Sequence, residues 1–274
     1  MLSTRVKAAL VFVPLVLIFI YLGGWAFNLF ILALLLLAAH EYARLFTHTG
    51  YDPSIPVLLA GVLLFTLQRW FLDGEYLGFL ISITLFLTIV PAIFQFERGY
   101  SKAVYNFAVT FSGILYLGWV GTFLISLRAL PDGLGWTLTA LPVTWLADSG
   151  AYFIGRWLGK HKFSPRTSPN KTWAGFASAV LWGVPSGLLL VLLWRTVGFL
   201  PAQTPLWQGA VMGLTLAVLT PIGDLFVSLI KRTAGVKDTG NLIPGHGGIL
   251  DRIDTWIWAA LIGYYLVITF QGLM

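Results

Sequence analysis

Apolar residues run along this chain in long blocks separated by short polar intervals. The blocks cover roughly 8–22, 25–39, 55–72, 76–95, 103–127, 138–158, 173–197, 207–230 and 253–272. A membrane-crossing helix needs about 20 mostly apolar residues. The pattern therefore predicts an all-α polytopic membrane protein with about nine transmembrane helices. All of 1–274 reads as a single integral membrane domain, and no polar stretch is long enough for an appended soluble one. The first two blocks are short and meet at Gly23-Gly24, which suits a tight hairpin or a partly interfacial pair. The basic start and apolar run of the N-terminus look like a signal sequence. They lack a small-x-small cleavage site and lead straight into a second apolar run, so they read as a retained span.

Composition agrees. The chain is 58% hydrophobic and 10% charged, where a soluble domain carries about a quarter charged residues. The absence of Cys removes disulfides, thiolate nucleophiles and Cys-zinc sites. A net charge of +6 would suit nucleic acid, but its distribution favours a membrane explanation. When nine spans are threaded from a cytoplasmic N-terminus, fourteen of the 17 Lys and Arg fall at cytoplasmic ends or loops. Only Arg69, Arg128 and Arg195 fall on the other side, as the positive-inside rule expects. No nucleic-acid partner is expected. The threading also places the polar loops at about 156–172 and 231–252 on one face, where a site built from both is geometrically possible.

Carboxylates inside spans are the sharpest chemical signal, because each costs about 2.5–3.5 kcal/mol at the centre of a membrane helix. Asp148 and Asp224 qualify. Ser228 and Lys231 follow Asp224 at spacings of four and three, so the three share one helix face. Asp251 and Asp254 pair at i, i+3 where the last span begins, a place the helix dipole also favours. Hard oxygen ligands without Cys suit Mg²⁺, which typically takes one or two protein carboxylates and completes its shell with substrate phosphates and water. Asp224 and Asp251 suffice for that. The Pro244-Gly245-His246-Gly247-Gly248 run lets backbone N–H groups approach an anion, beside Lys231, Arg232, Lys237 and Arg252. In the other polar loop, Ser168, Lys171 and Thr172 offer a cation and hydroxyls. Gly155 to Lys160 is not a P-loop, since its glycines are one residue too close and His161 stands where Ser or Thr belongs. Gly155 and Gly159 read instead as a close helix contact.

Ser228-x-x-Lys231-Arg232, Lys237-Asp238-x-Gly240 and Pro244-Gly245-His246-Gly247-Gly248-x-x-Asp251-Arg252-x-Asp254, in that order, resemble the signature of the phosphatidate cytidylyltransferases. Ser168-Pro169-x-Lys171-Thr172-Trp173 and Asp148-x-x-Ala151-Tyr152 are also similar to that family. The resemblance implies CTP and phosphatidate as substrates, CDP-diacylglycerol and pyrophosphate as products, and Mg²⁺ as cofactor, with a second cation as a further candidate. It implies a homodimer among membrane lipids, in a bacterial-type inner (plasma) membrane, with the site facing the cytoplasm. Catalytic helices and loops would occupy about 138–274, and about 1–100 would supply N-terminal helices. Asp224, Lys237, Asp238 and Asp251 become the catalytic candidates, with Asp224 and Asp251 on the metal. Ser168, Lys171, Thr172, Ser228, Lys231, Arg232, His246, Gly247, Gly248 and Arg252 become the substrate-binding set, and Asp148 and Asp254 are additional candidates. Two competing readings are a CTP-dependent lipid kinase and an ion pathway through Asp148 and Asp224.

Overall fold

The computed structural model describes residues 2–243, 245 and 247–273, with side chains from residue 10 onward. Its helices are α1 Leu2–Leu22, α2 Gly24–His48, α3 Ile55–Leu72, α4 Leu77–Glu97, α5 Ala103–Gly113, α6 Phe123–Ala129, α7 Gly133–Leu158, α8 Trp173–Val197, α9 Leu206–Thr233 and α10 Leu250–Gln271. A π-helical stretch, Ile114–Val120, joins α5 to α6, and a hairpin of β1 Lys162–Ser164 and β2 Ser168–Thr172 precedes α8. Seven helical segments are long and apolar enough to cross a membrane: Gly24–His48, Ile55–Leu72, Leu77–Glu97, Ala103–Ala129, Trp173–Val197, Leu206–Thr233 and Leu250–Gln271. The chain is thus an all-α multi-pass membrane protein. The two other expected spans do not meet that measure among the described residues. Of α1 the described side chains cover Leu10–Leu22, a shorter apolar helix, and α7 is diluted by Thr137, Thr139, Thr144, Asp148 and Arg156.

The chain forms two compact units. The first is Met1–Ser126 with Ile230–Ile253. Here α2 buries Phe27, Ile31, Leu34, Leu35, Ala38, Tyr42 and Leu45, spaced three or four apart so that they form one stripe. Lipid tails are as apolar as Leu, so close packing and hydrogen bonds must hold such helices together. Both appear. A Cβ at Gly61 of α3 would lie 2.7 Å from Ile114, and one at Gly113 would lie 2.6 Å from Tyr42. The Tyr42 hydroxyl reaches Ser112 Oγ at 3.0 Å. The stripe on α2 carries one charged member, Glu41, which is 9% exposed.

The second unit is Leu127–Leu229 with Asp254–Met274. Helices α8 and α9 interlock through two G-x-x-x-G pairs, Gly183/Gly187 and Gly209/Gly213. Gly183 meets Gly213 and Gly187 meets Gly209, so closely that a Cβ at Gly183 would sit 2.7 Å from the Gly213 carbonyl oxygen. The polar interval expected as a loop over 156–172 is partly a hairpin. Lys162 pairs with Thr172 and Ser164 with Ser168, and Pro165 lies in the turn between the strands. Thr172 then caps α8, its hydroxyl accepting the Gly175 N–H at 3.1 Å.

Candidate active site

In the first unit, α9 ends just after the basic pair Lys231-Arg232. Gly235 adopts φ 68°. The Gly235 N–H bonds the Arg232 carbonyl at 3.1 Å and the Val236 N–H bonds the Lys231 carbonyl at 3.0 Å. This is a Schellman stop, for which a left-handed glycine is suited. It turns the chain out into exposed Lys237 and Asp238. The loop then tightens where Ile243 N–H bonds the Gly247 carbonyl at 3.0 Å, and Leu250 starts α10.

Asp251, in the first turn of α10, gathers this stretch. Its Oδ1 pairs with Lys231 Nζ at 2.7 Å, with side-chain exposures of 4% and 11%. Its Oδ2 accepts from Thr239 N at 2.7 Å and Gly248 N at 3.0 Å, and lies 3.0 Å from Thr239 Oγ1. The end of α9, the middle of the loop and its glycine end are thus tied to one carboxylate. A Cβ at Gly247 would fall 2.6 Å from Asp251 Oδ2, so that glycine lets the carboxylate approach the backbone. Arg252 stands half-buried beside Asp251, and its Nε is buried without a hydrogen-bond partner. Exposed Arg232 reaches the Val236 carbonyl at 3.4 Å. His246 lies outside the described residues.

In the second unit, Lys171 at the end of β2 pairs with Asp224 of α9 at 2.5 Å, and its Nζ also lies 3.4 Å from the Pro221 carbonyl oxygen. Their side chains are 28% and 32% exposed. Asp148 of α7 is exposed and feels both charges, giving an acid–cation–acid group. Exposed carboxylates on membrane helices normally line a polar cavity. Ser168 is half-buried and Ser228 buried. Thr172 is buried, its hydroxyl committed to the α8 cap. Asp254 is 5% exposed, and its Oδ1 accepts from Thr255 N and Oγ1 at 2.7 and 3.1 Å. Helix α9 contains Asp224, Ser228 and Lys231.

Among the described residues no three His, Cys, Asp or Glu side chains gather as a ready-made metal cage. Asp224 nevertheless keeps a partly exposed carboxylate beside Lys171, whereas both oxygens of Asp251 are engaged by Lys231, Thr239 and Gly248. Mg²⁺ usually needs only one or two protein carboxylates, with substrate phosphates completing its shell. A single accessible carboxylate such as that of Asp224 fits an ion that arrives with a polyphosphate.

One residue escaped the sequence reading. Glu41 accepts Ile249 N–H at 3.0 Å, Leu250 N–H at 2.9 Å and Thr239 Oγ1 at 2.9 Å. The signal was a carboxylate standing on the apolar stripe of α2. It was hidden because the second apolar block appeared to end at 39, whereas the helix continues to His48. His40 and His48 lie on the same helix with Arg44. They line a pocket of about 400 Å³ with Asp238, Thr239 and Asn241.

Comparison with known proteins agrees with these features. The profile of the cytidylyltransferase family matches residues 3–270. A phosphatidate cytidylyltransferase of Bacillus subtilis is 34% identical over 281 residues, covering 98% of this chain and 97% of the relative. One from Synechocystis is 30% identical over 295 residues, covering 97% and 96%. One from Brucella suis is 33% identical over 269 residues, covering 96% and 92%. With a match over nearly the whole chain and signature residues collected around Asp251, the protein belongs to the cytidylyltransferase family.

Proposed function

We propose that this protein is a phosphatidate cytidylyltransferase, converting CTP and phosphatidate to CDP-diacylglycerol and pyrophosphate. The observation that carries this reading is the Asp251 cluster, a basic and glycine-rich fold of backbone suited to phosphates, in a chain whose relatives bear that name. The phosphate of phosphatidate attacks the α-phosphorus of CTP. A P–O bond forms there, and the bond to the β-phosphate oxygen breaks as pyrophosphate leaves. No side-chain nucleophile is required. Catalysis is positioning and charge stabilisation.

Two polyanions must meet, and cations offset their repulsion. Lys231, Arg232, Lys237 and Arg252 serve phosphates, and the orphaned Arg252 Nε supports such a partner. Lys171 has the same role, holding Asp224 until substrate arrives. Asp224 and Asp251 are the carboxylates that would hold Mg²⁺, each with substrate phosphates. When bound, Mg²⁺ supplies charge neutralisation on the triphosphate and on the leaving pyrophosphate. Ser168, Ser228, Thr172, His246, Gly247 and Gly248 complete the proposed substrate contacts. Asp148 and Asp254 support the polar surroundings. Homodimeric assembly, a plasma-membrane location and a cytoplasmic-facing site belong to the same proposal, the last supported by the basic-residue bias.

The test is a detergent assay with phosphatidate, Mg²⁺ and CTP labelled in either the α- or the γ-phosphate. Label from the α-position is expected in the lipid product together with pyrophosphate release. Transfer of γ-label would instead make the protein a CTP-dependent lipid kinase.

A further inference from the structure

Glu41 is a buried charge that the proposed reaction leaves without a role. Its two oxygens accept three hydrogen bonds, all from the segment that carries the cytidylyltransferase signature. Oε1 takes the Ile249 N–H, and Oε2 takes the Leu250 N–H and the Thr239 hydroxyl. Ile249 and Leu250 open α10, where the first N–H groups have no partner within the helix and carry the positive end of its dipole. Glu41 supplies that missing acceptor from a different helix. The Thr239 backbone N–H donates to Asp251 Oδ2 at 2.7 Å, so one residue links the two carboxylates, through its hydroxyl to Glu41 and its amide to Asp251.

The glycines record the same arrangement. A Cβ at Gly240 would meet Glu41 Oε1 at 2.7 Å, with Glu41 Cδ and Cγ as its next neighbours. A Cβ at Gly248 would collide with Glu41 Oε2 and Thr239 Oγ1. Neither glycine has a positive φ. Both are therefore required by the space the carboxylate occupies and not by backbone freedom. Within a signature that reads as a phosphate-gripping loop, these two positions face inward onto Glu41.

We infer that Glu41 is a positioning residue for the cytidylyl transfer. Its carboxylate fixes Thr239 and the first turn of α10, and through them the direction in which Asp251 presents its oxygens. Groups that orient a functional carboxylate in this way typically change activity by about 10–100-fold when altered. The inference rests on the proposed role of the Asp251 cluster, and it assigns part of the catalytic apparatus to the N-terminal helices.

The test uses the full-length protein in detergent. Glu41→Gln keeps the volume but leaves one carbonyl oxygen for three donors. It is expected to lower kcat by about 10–100-fold while the KM for CTP changes by less than about threefold. Glu41→Asp, which keeps the charge, should recover part of that loss. In protein free of metal and substrate, amide exchange at Ile249 and Leu250 should accelerate in Glu41→Gln while α3 and α4 are unchanged. Gly240→Ala should cost at least about tenfold in the wild-type background and less than about threefold on top of Glu41→Ala, since coupled neighbours are non-additive. If a Glu41 variant fails to fold, unprotected Ile249 and Leu250 amides in the wild-type protein would overturn the arrangement. A folded Glu41→Gln enzyme with unchanged kcat, or an additive cycle with Gly240, would overturn the positioning role. A wild-type protein that makes no CDP-diacylglycerol would instead sink the proposed reaction, with the exchange result still deciding the role of Glu41 in the fold.

Discussion

At the scale of single residues, two Lys–Asp pairs differ in what their loss should cost. Lys231–Asp251 is nearly inaccessible, and removing one partner strands the other's charge in a poorly solvated place. Asp251→Asn is therefore expected to abolish CDP-diacylglycerol formation and also to lower stability by about 1–3 kcal/mol, read from thermal unfolding in detergent. Lys171–Asp224 is about 30% exposed on each side, and such pairs contribute about 0–1 kcal/mol once solvent screening is counted. Asp224→Asn and Lys171→Ala should thus insert and melt like the wild type yet lose at least about tenfold in turnover. Near-normal turnover by Asp224→Asn at limiting Mg²⁺ would contradict the metal role proposed for it. Asp224 and Asp251 were legible in the sequence because a carboxylate beside or inside an apolar run needs a reason. Their partners were less so. Nothing in linear spacing tells that Lys231 closes on Asp251, twenty residues on, or that Thr239 serves two carboxylates.

At the scale of elements, the apolar pattern located the helices and misjudged some of their ends. It stopped α2 at residue 39, because His40 and Glu41 look like the beginning of a loop. Tertiary hydrogen bonds make the carboxylate tolerable and let the helix run to His48. It also read 156–172 as a loop, since a five-residue strand containing Pro169 has little apolar alternation to reveal it. Pro suits such an edge position, where no ladder N–H is needed. The Thr172 cap is testable by itself. Thr172→Ala should cost about 1 kcal/mol and Thr172→Ser much less, measured as shifts in unfolding temperature. The G-x-x-x-G contacts of α8 and α9 make a stronger demand. A side chain larger than hydrogen at Gly187 would be driven into the Gly209 backbone, and Gly187→Val should destabilise by about 1–3 kcal/mol or more.

For the whole molecule, composition alone was enough to establish a multi-pass membrane protein, and the positive-inside bias adds an orientation that can be checked directly. The chain has no Cys, so single cysteines can be introduced without first removing native ones. Asn241→Cys should react with an impermeant maleimide only from the cytoplasmic side, and Pro131→Cys only from the opposite side. Labelling of both from one side would refute the nine-span threading. That threading counts 8–22 and 138–158 as crossings, the two blocks outside the seven long apolar helices found among the described residues.

The bonds from Glu41 to the start of α10 join residues 208 and 209 positions apart in the chain. Synthesis at about 5–20 residues per second therefore leaves this carboxylate without its donors for about 10–40 seconds. During that interval a charged group waits near the polar end of a largely apolar helix, beside Arg44. Its place close to the C-terminal end of α2 lets it wait in the aqueous boundary, so the helix can be inserted without dragging an unpaired charge into lipid. The Asp251 cluster is then among the last parts of the protein to take shape. A chain arrested before residue 249 would hold every helix up to α9 and still have no ordered Asp251 cluster.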